Sequence, residues 1–156
     1  MKRILITGSR EYRDLTEASD ALARVLQYLN LAPHEAVLVH GAAQGADTVL
    51  ATAASAMGMG TEAHPAQWSL HEGCSCKDHS KRCGFAGFRR NTYMLSLGAD
   101  FCLGFPLHPE QLPPGTPTKN TSRGTWNMLR SAASAGVPTY FVRHENGRRA
   151  LHQVIP

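Results

Sequence analysis

AVLVHGAAQGADTVLA, residues 36–51, is the stretch that decides the fold. Val37, Leu38 and Val39 form a short apolar run that stops at His40 and Gly41. Two alanines follow, then Gln44-Gly45-Ala46-Asp47, then a segment with helical character. A strand running through a glycine turn into a helix aims backbone N–H groups, backed by the positive end of the helix dipole, at an anion. Gly41 and Gly45 would let the backbone approach such a ligand closely. Phosphate is the anion that this arrangement most commonly holds.

The remainder of the chain repeats the pattern. Residues 3–7 read as a first strand, buried on both faces and ending at Gly8-Ser9-Arg10. Asp14 and Glu17 open a helix with a capping-box spacing, and Leu15, Ala18, Leu22, Val25 and Leu29 form its apolar stripe. Strand two is residues 36–40, and an alanine-rich helix runs from about Gly45 to Met57, closed by Gly58-Met59-Gly60. Residues 61–64 suit a short third strand, 87–97 a helix, 101–105 a strand, and 106–121 a long proline-rich loop. Ser122-Arg123-Gly124-Thr125 opens a last helix, extending to about Ala135. Residues 137–142 make a further strand, with a short strand at 151–155 in the tail. Strands alternating with helices, without hairpin signals, predict right-handed βαβ units. The fold class is therefore α/β, a three-layer Rossmann-like doubly wound and mainly parallel sheet. Its ligand belongs beyond the carboxyl ends of the strands.

Length and charge narrow the function. The 156 residues suit one domain spanning 1–156, interrupted by a Cys/His-bearing insertion at about 68–84. No apolar run approaches the roughly 20 residues of a membrane span, and no long apolar core follows Met1, so a cytoplasmic protein without membrane contact is expected. The net charge of +4 suits a nucleotide or nucleic-acid ligand, although the basic residues occur as scattered pairs. No GxGxxG follows the first strand, so NAD is not expected.

Residues from several segments converge on one edge of this sheet. After strand one, Gly8 turns the chain, Ser9 can hydrogen-bond phosphate or ribose, and Arg10 can fork onto phosphate. The second loop offers Gly41, Gln44, Gly45 and Asp47, where Asp47 either binds ribose hydroxyls or caps its helix, capping being the better fit. Arg89-Arg90-Asn91 leads the third helix, with one arginine turned to the crevice. Ser122, Gly124 and Thr125 stand where the last helix begins, and Trp126 in its first turn suits packing better than base stacking. Arg90 and Asp47 are weak catalytic candidates, since no Ser-His-Asp order, HExxH or Walker lysine occurs.

Between His71 and Cys83 lie three cysteines and two histidines that otherwise have no packing pattern. Cys74, Cys76, Cys83 and His79, with His71 as the substitute, could furnish the four sulfur and nitrogen ligands of a structural zinc. The Cys-x-Cys spacing is tighter than the usual knuckle. Cys102 belongs to a strand and is expected in the core.

Four blocks, ILITGSREYRD, VHGAAQGADTVLA, AGFRRNTYMLSLGAD and the pair FP with SRGT, resemble in this order the YspA-like branch of the SLOG superfamily. That superfamily is related to LOG (lysine-decarboxylase-like) phosphoribohydrolases and to Smf/DprA domains. The resemblance implies a Rossmann-like pocket for a nucleotide or nucleotide-derived ligand at Gly8, Ser9, Arg10, Gly41, Gly45, Asp47, Gly124 and Thr125, and a homodimer. Arg90 matches the LOG arginine by its spacing to Met94, but Asn91 replaces the lysine, and Asn127 and Met128 replace the acidic pair. The resemblance therefore implies binding, as in a sensor or sequestering protein, before N-glycosidic cleavage. A DprA-like single-stranded nucleic-acid binder is the third expectation.

Overall fold

The computed structural model describes residues 1–107, 122–145 and 148–156. A six-stranded sheet has the order β3-β2-β1-β4-β5-β6, with β1 Lys2–Gly8, β2 Ala36–His40, β3 Gly60–Ala63, β4 Phe101–Phe105, β5 Thr139–Glu145 and β6 Arg148–Gln153. Every pairing from β3 through β5 is parallel, and only β5 and β6 run antiparallel. Among the described residues four α-helices cover the sheet: α1 Leu15–Tyr28, α2 Ala46–Met57, α3 Ala86–Ser96 and α4 Arg123–Ser134. The strand order reverses between β1 and β4, so the loops leaving these two strands diverge and leave a crevice.

The alternation of a strand's side chains explains the three layers. Ile4 and Ile6 of β1 turn to one face with Leu22 and Val25 of α1 and Leu50 of α2, all fully buried. Leu5 turns to the other face with Met94 of α3 and Met128 and Leu129 of α4. Gly104 lies in β4 because a Cβ there would come within 2.7 Å of the Leu129 side chain. Cys102 is wholly buried among this second cluster, and burial pushes its thiol up to about 12, as expected of a core residue. Trp126 packs edge-on to Phe141 with ring centroids 4.9 Å apart, so its role in the described structure is packing.

Helix α1 starts where expected: Asp14 caps it by accepting from the Glu17 N–H at 2.9 Å. The apolar stripe differs from the predicted one, since Leu15 is 47% exposed and Leu26 takes a buried place. Nor does Glu17 close a capping box. Its buried carboxylate accepts from the Tyr12 hydroxyl at 2.9 Å and meets His144 at 2.7 Å and Arg149 at 3.1 Å. This carboxylate ties α1 to the β5–β6 hairpin, which the sequence reading left as a lone tail strand.

At the far edge, Arg3 grips Glu62 of β3 with two hydrogen bonds of 2.8 and 2.9 Å. These bonds first, and then one from His64, hold the Glu62 carboxyl down at about 2. A carboxylate depressed in the folded state stabilises above its ordinary range and loses that contribution as pH falls through its folded value. The stability advantage of the native chain over Arg3→Met at neutral pH should therefore narrow as pH falls towards 2. Urea melts across that range test this, and a gap independent of pH would show that the pair contributes nothing through its charge.

Residues 108–121, which hold most of the expected proline-rich loop, lie outside the described residues. Residues 68–84 contain neither helix nor strand. Among the described residues no helix is long and apolar enough to cross a membrane.

Candidate functional site

The crevice at the β1/β4 divergence encloses a cavity of about 610 Å³, within the size range of small-molecule sites. Gly8, Ser9, Arg10 and Glu11 line it from β1, and Asp47 from α2. Arg90, Asn91 and Met94 line it from α3, and residues 122–125 from the start of α4. Trp68 closes it from the insertion. Gly41 and Gln44 instead border a second cavity of about 400 Å³ on the other side of Arg10 and Trp68. Gly45 borders neither. The predicted ligand set is thus divided between two neighbouring spaces.

The second loop is not the open amide cradle that its sequence suggested. The Asp47 carboxylate accepts from the Gly41 N–H at 3.0 Å and the Ala43 N–H at 3.2 Å. Between them, the Ala42 N–H donates to His40 Nδ1 at 3.1 Å. Burial raises the Asp47 carboxyl above its usual range, although these amides and the nearby Arg90 and His40 pull it down. Burial also lowers His40 and so favours the neutral ring that can accept this bond. Asp47 therefore binds its own loop through Oδ2, in place of the helix cap that was the better fit to its position.

The glycines follow the same logic. A Cβ on Gly41 would fall 2.2 Å from the Arg90 guanidinium, so the missing side chain makes room for that arginine and not for a ligand. A Cβ on Gly45 would meet the Arg10 and Ser9 carbonyl oxygens at 2.3 and 2.4 Å. The Ala46 N–H donates to Ser9 O at 3.0 Å across the same contact. The first and second loops are thus pressed together, backbone on backbone.

What remains open faces the larger cavity. Ser9 is nearly buried and donates its hydroxyl to Glu11 Oε2 at 2.6 Å. Glu11 is a cavity carboxylate that the sequence reading missed. Its signal was its place two residues beyond Ser9, where a short turn brings the two side chains together. Arg90 donates from Nη1 to Gly41 O and, at 3.2 Å, to His64 O, and from Nε to Asn91 Oδ1 at 2.9 Å. These bonds fix the guanidinium while leaving Nη2 unengaged among the described residues. Ser122 does not cap α4 with its side chain; its hydroxyl accepts from the Leu107 N–H at 3.0 Å. The first-turn amides of a helix have no acceptor within it. Arg123, Gly124 and Thr125, the first-turn residues of α4, line the cavity, where the helix dipole favours an anion. Nothing lies within 4 Å of a Cβ on Gly124, so this glycine adjoins open space.

The insertion brings its own cluster together. One donor atom each from His71, Cys74, Cys76 and Cys83 lies within 4.8 Å of all the others. His71, and not the favoured His79, belongs to this set, while the His79 ring stacks on that of His71 with centroids 4.3 Å apart. Cys76 Sγ to Cys83 Sγ is 3.8 Å and Cys74 Sγ to His71 Nδ1 is 3.5 Å. Zinc bonds of about 2.3 Å to sulfur and 2.0 Å to nitrogen place tetrahedral donors about 3.5–3.8 Å apart, which these two of the six separations match, the whole set lying within 4.8 Å. The other ring nitrogen of His71 lies 2.8 Å from Lys81 O, an anchor typical of a metal-ligating histidine. All four cysteines are free. Burial would raise the Cys83 thiol, but an Arg89 hydrogen bond, the Phe85 amide and the neighbouring cysteines bring it down to about 6.

Sheet order and crevice together define a Rossmann-like, doubly wound α/β domain with its ligand space at the strand-order switch. Residues 2–71 match the family described as YAcAr, the YspA, cpYpsA-related SLOG family. The chain is 37% identical to the gene 61 protein of Mycobacterium phage D29 over 143 residues, 88% of this chain and 94% of that protein. The chain belongs to the YspA, cpYpsA-related SLOG family. Its fold is also that of DNA processing protein A (DprA) from Streptococcus pneumoniae, with a TM-score of 0.61 and 18% identity. That alignment covers 94% of this chain and 52% of the DprA chain, so the chain spans about half the length of DprA. Membership of this family supports a role in binding a nucleotide or nucleic acid in general.

Proposed function

We propose that the larger cavity binds the phosphate-bearing part of a nucleotide or nucleotide-derived ligand. The observation carrying this reading is the convergence, around one 610 Å³ space, of the Gly8–Arg10 turn, the fixed Arg90 and the amides at the start of α4. The anion sits on α4 and the arginines, not on the second loop, whose Gly41, Ala42 and Ala43 amides are already taken. Its role is that of a sensor or sequestering domain, working as a homodimer.

The alternative, N-glycosidic cleavage, has one supporting observation, the Glu11 carboxylate at the cavity wall. Incubation with nucleoside monophosphates separates the two. Binding alone gives thermal stabilisation without released base on chromatography, and Arg90→Gln weakens it about tenfold or more. Released base that disappears in Glu11→Gln would establish the enzyme instead. Neither stabilisation nor release at millimolar nucleotide would rule out both. Affinity for single strands that falls steeply with salt would favour a nucleic-acid ligand.

For the insertion we propose a structural zinc held by His71, Cys74, Cys76 and Cys83. Its chemistry there is cross-linking: it would pin a segment with no helix or strand of its own. The Cys83 N–H donates to Trp68 O at 2.7 Å, and Arg89 reaches Glu72 O at 2.6 Å and also Leu70 O. The pinned segment therefore holds the Trp68 wall of the cavity.

A further inference from the structure

The smaller cavity adjoins the proposed nucleotide site, and Arg10, Ala43, Trp68 and Arg90 line both spaces. Its own wall adds Arg82 from the zinc-loop segment, together with Gln44 and the Gly41–Ala42 backbone. Three guanidiniums thus border about 400 Å³, and no carboxylate lines that space. Among the described residues none of Arg10, Arg82 and Arg90 is within ion-pair distance of an acidic side chain. Trp68 meets two of them: the Arg82 guanidinium is 4.2 Å from its ring centroid and that of Arg10 is 5.5 Å away. An indole holds a cation through its ring quadrupole and does not neutralise it. Asp47 interacts with Arg90 from outside this space, yet three like charges bordering one hollow still repel each other there. With the Arg82 guanidinium over Trp68, the ring helps to hold a cation at this hollow.

We propose that the smaller cavity is a second phosphate subsite, so that the ligand is a nucleoside di- or triphosphate or a pyrophosphate-linked nucleotide, its distal phosphate held by Arg82, Arg10 and Arg90. This rests on the nucleotide reading of the larger cavity for the ligand's other end, while the anion subsite stands on its own residues. Arg82 supplies the discrimination. It borders only the smaller cavity, whereas Arg10 and Arg90 serve both. It is also exposed and lies outside the core, and it meets the lining of the first cavity at the Trp68 ring.

Calorimetric titration of the full chain with inorganic pyrophosphate and with nucleoside mono-, di- and triphosphates tests the subsite. The native chain should bind the di- and triphosphate about tenfold or more tightly than the monophosphate. Arg82→Gln should remove that preference and weaken pyrophosphate, leaving monophosphate affinity within about twofold. Arg24→Gln, the same charge change on the exposed side of α1, should alter none of these affinities. Equal affinity of the native chain for mono- and triphosphate overturns the subsite but leaves the nucleotide site standing. So does an equal loss for every ligand in Arg82→Gln, or the same loss in Arg24→Gln. Binding of pyrophosphate that depends on Arg82, with no nucleotide bound, upholds the subsite and sinks the nucleotide reading. Failure of pyrophosphate and all nucleotides to bind sinks both.

Discussion

Gly45→Ala is expected to lower stability by about 3–5 kcal/mol, a large share of the roughly 5–15 kcal/mol available to a domain. Two costs add. Gly45 has φ +82° and ψ −122°, a backbone region that residues with a side chain occupy only under strain. The new Cβ would also fall 2.3–2.4 Å from the Arg10 carbonyl and Ser9 O. Those are backbone atoms that no rotamer change can move aside. Relief requires the β1 loop to separate from the start of α2, which breaks the Ala46 N–H bond to Ser9 O. The melting temperature should fall by about 10 °C for a chain of this size. Gly124→Ala is the control: its Cβ meets nothing and its φ is not positive, so the melt should stay level or rise slightly. If Gly45→Ala melts within about 2 °C of the native chain, the two loops are not the interlocked pair described above.

Removing zinc should have the second large effect, confined to residues 68–84. Structural zinc contributes about 10 kcal/mol or more of apparent binding energy in small zinc-finger peptides, and this segment has no secondary structure to replace it. Elemental analysis of untagged protein should give about one equivalent. Cys83→Ser and His71→Ala should each bring that near zero, whereas His79→Ala and the core variant Cys102→Ala retain it. Without the ion, limited trypsin should cut within the segment at Lys77, Lys81 or Arg82 while the sheet stays intact. Native protein with under half an equivalent would remove the site.

The sheet was legible because its signals are local and redundant. Residues 36–40 and 101–105 read as strands to the residue, since short apolar runs between glycine turns have few other uses. The tail hairpin was not read, although Asn146-Gly147 stands between its two strands and is the strongest short hairpin signal. That pairing is sealed by Glu17, far away in sequence, whose spacing to Asp14 had a ready local explanation in the capping box. The site was legible in outline and misread in detail. Glycines at 41 and 45 point equally to a bound phosphate or to another part of the chain, and only three dimensions bring Arg90 and Arg10 against them. Asp47 was read as a cap but serves as the acceptor for a preceding loop. The choice between His71 and His79 likewise depended on which ring folds inward.

The backbone contact between the turn after β1 and the beginning of α2 has a mechanical consequence. A guest that displaces Ser9 or Arg10 must also shift the first turn of α2, since neither partner has slack to absorb the motion. Occupancy at the crevice is thereby transmitted to an outer helix of the molecule, and the exchange rate of the Ala46 amide proton would record its arrival.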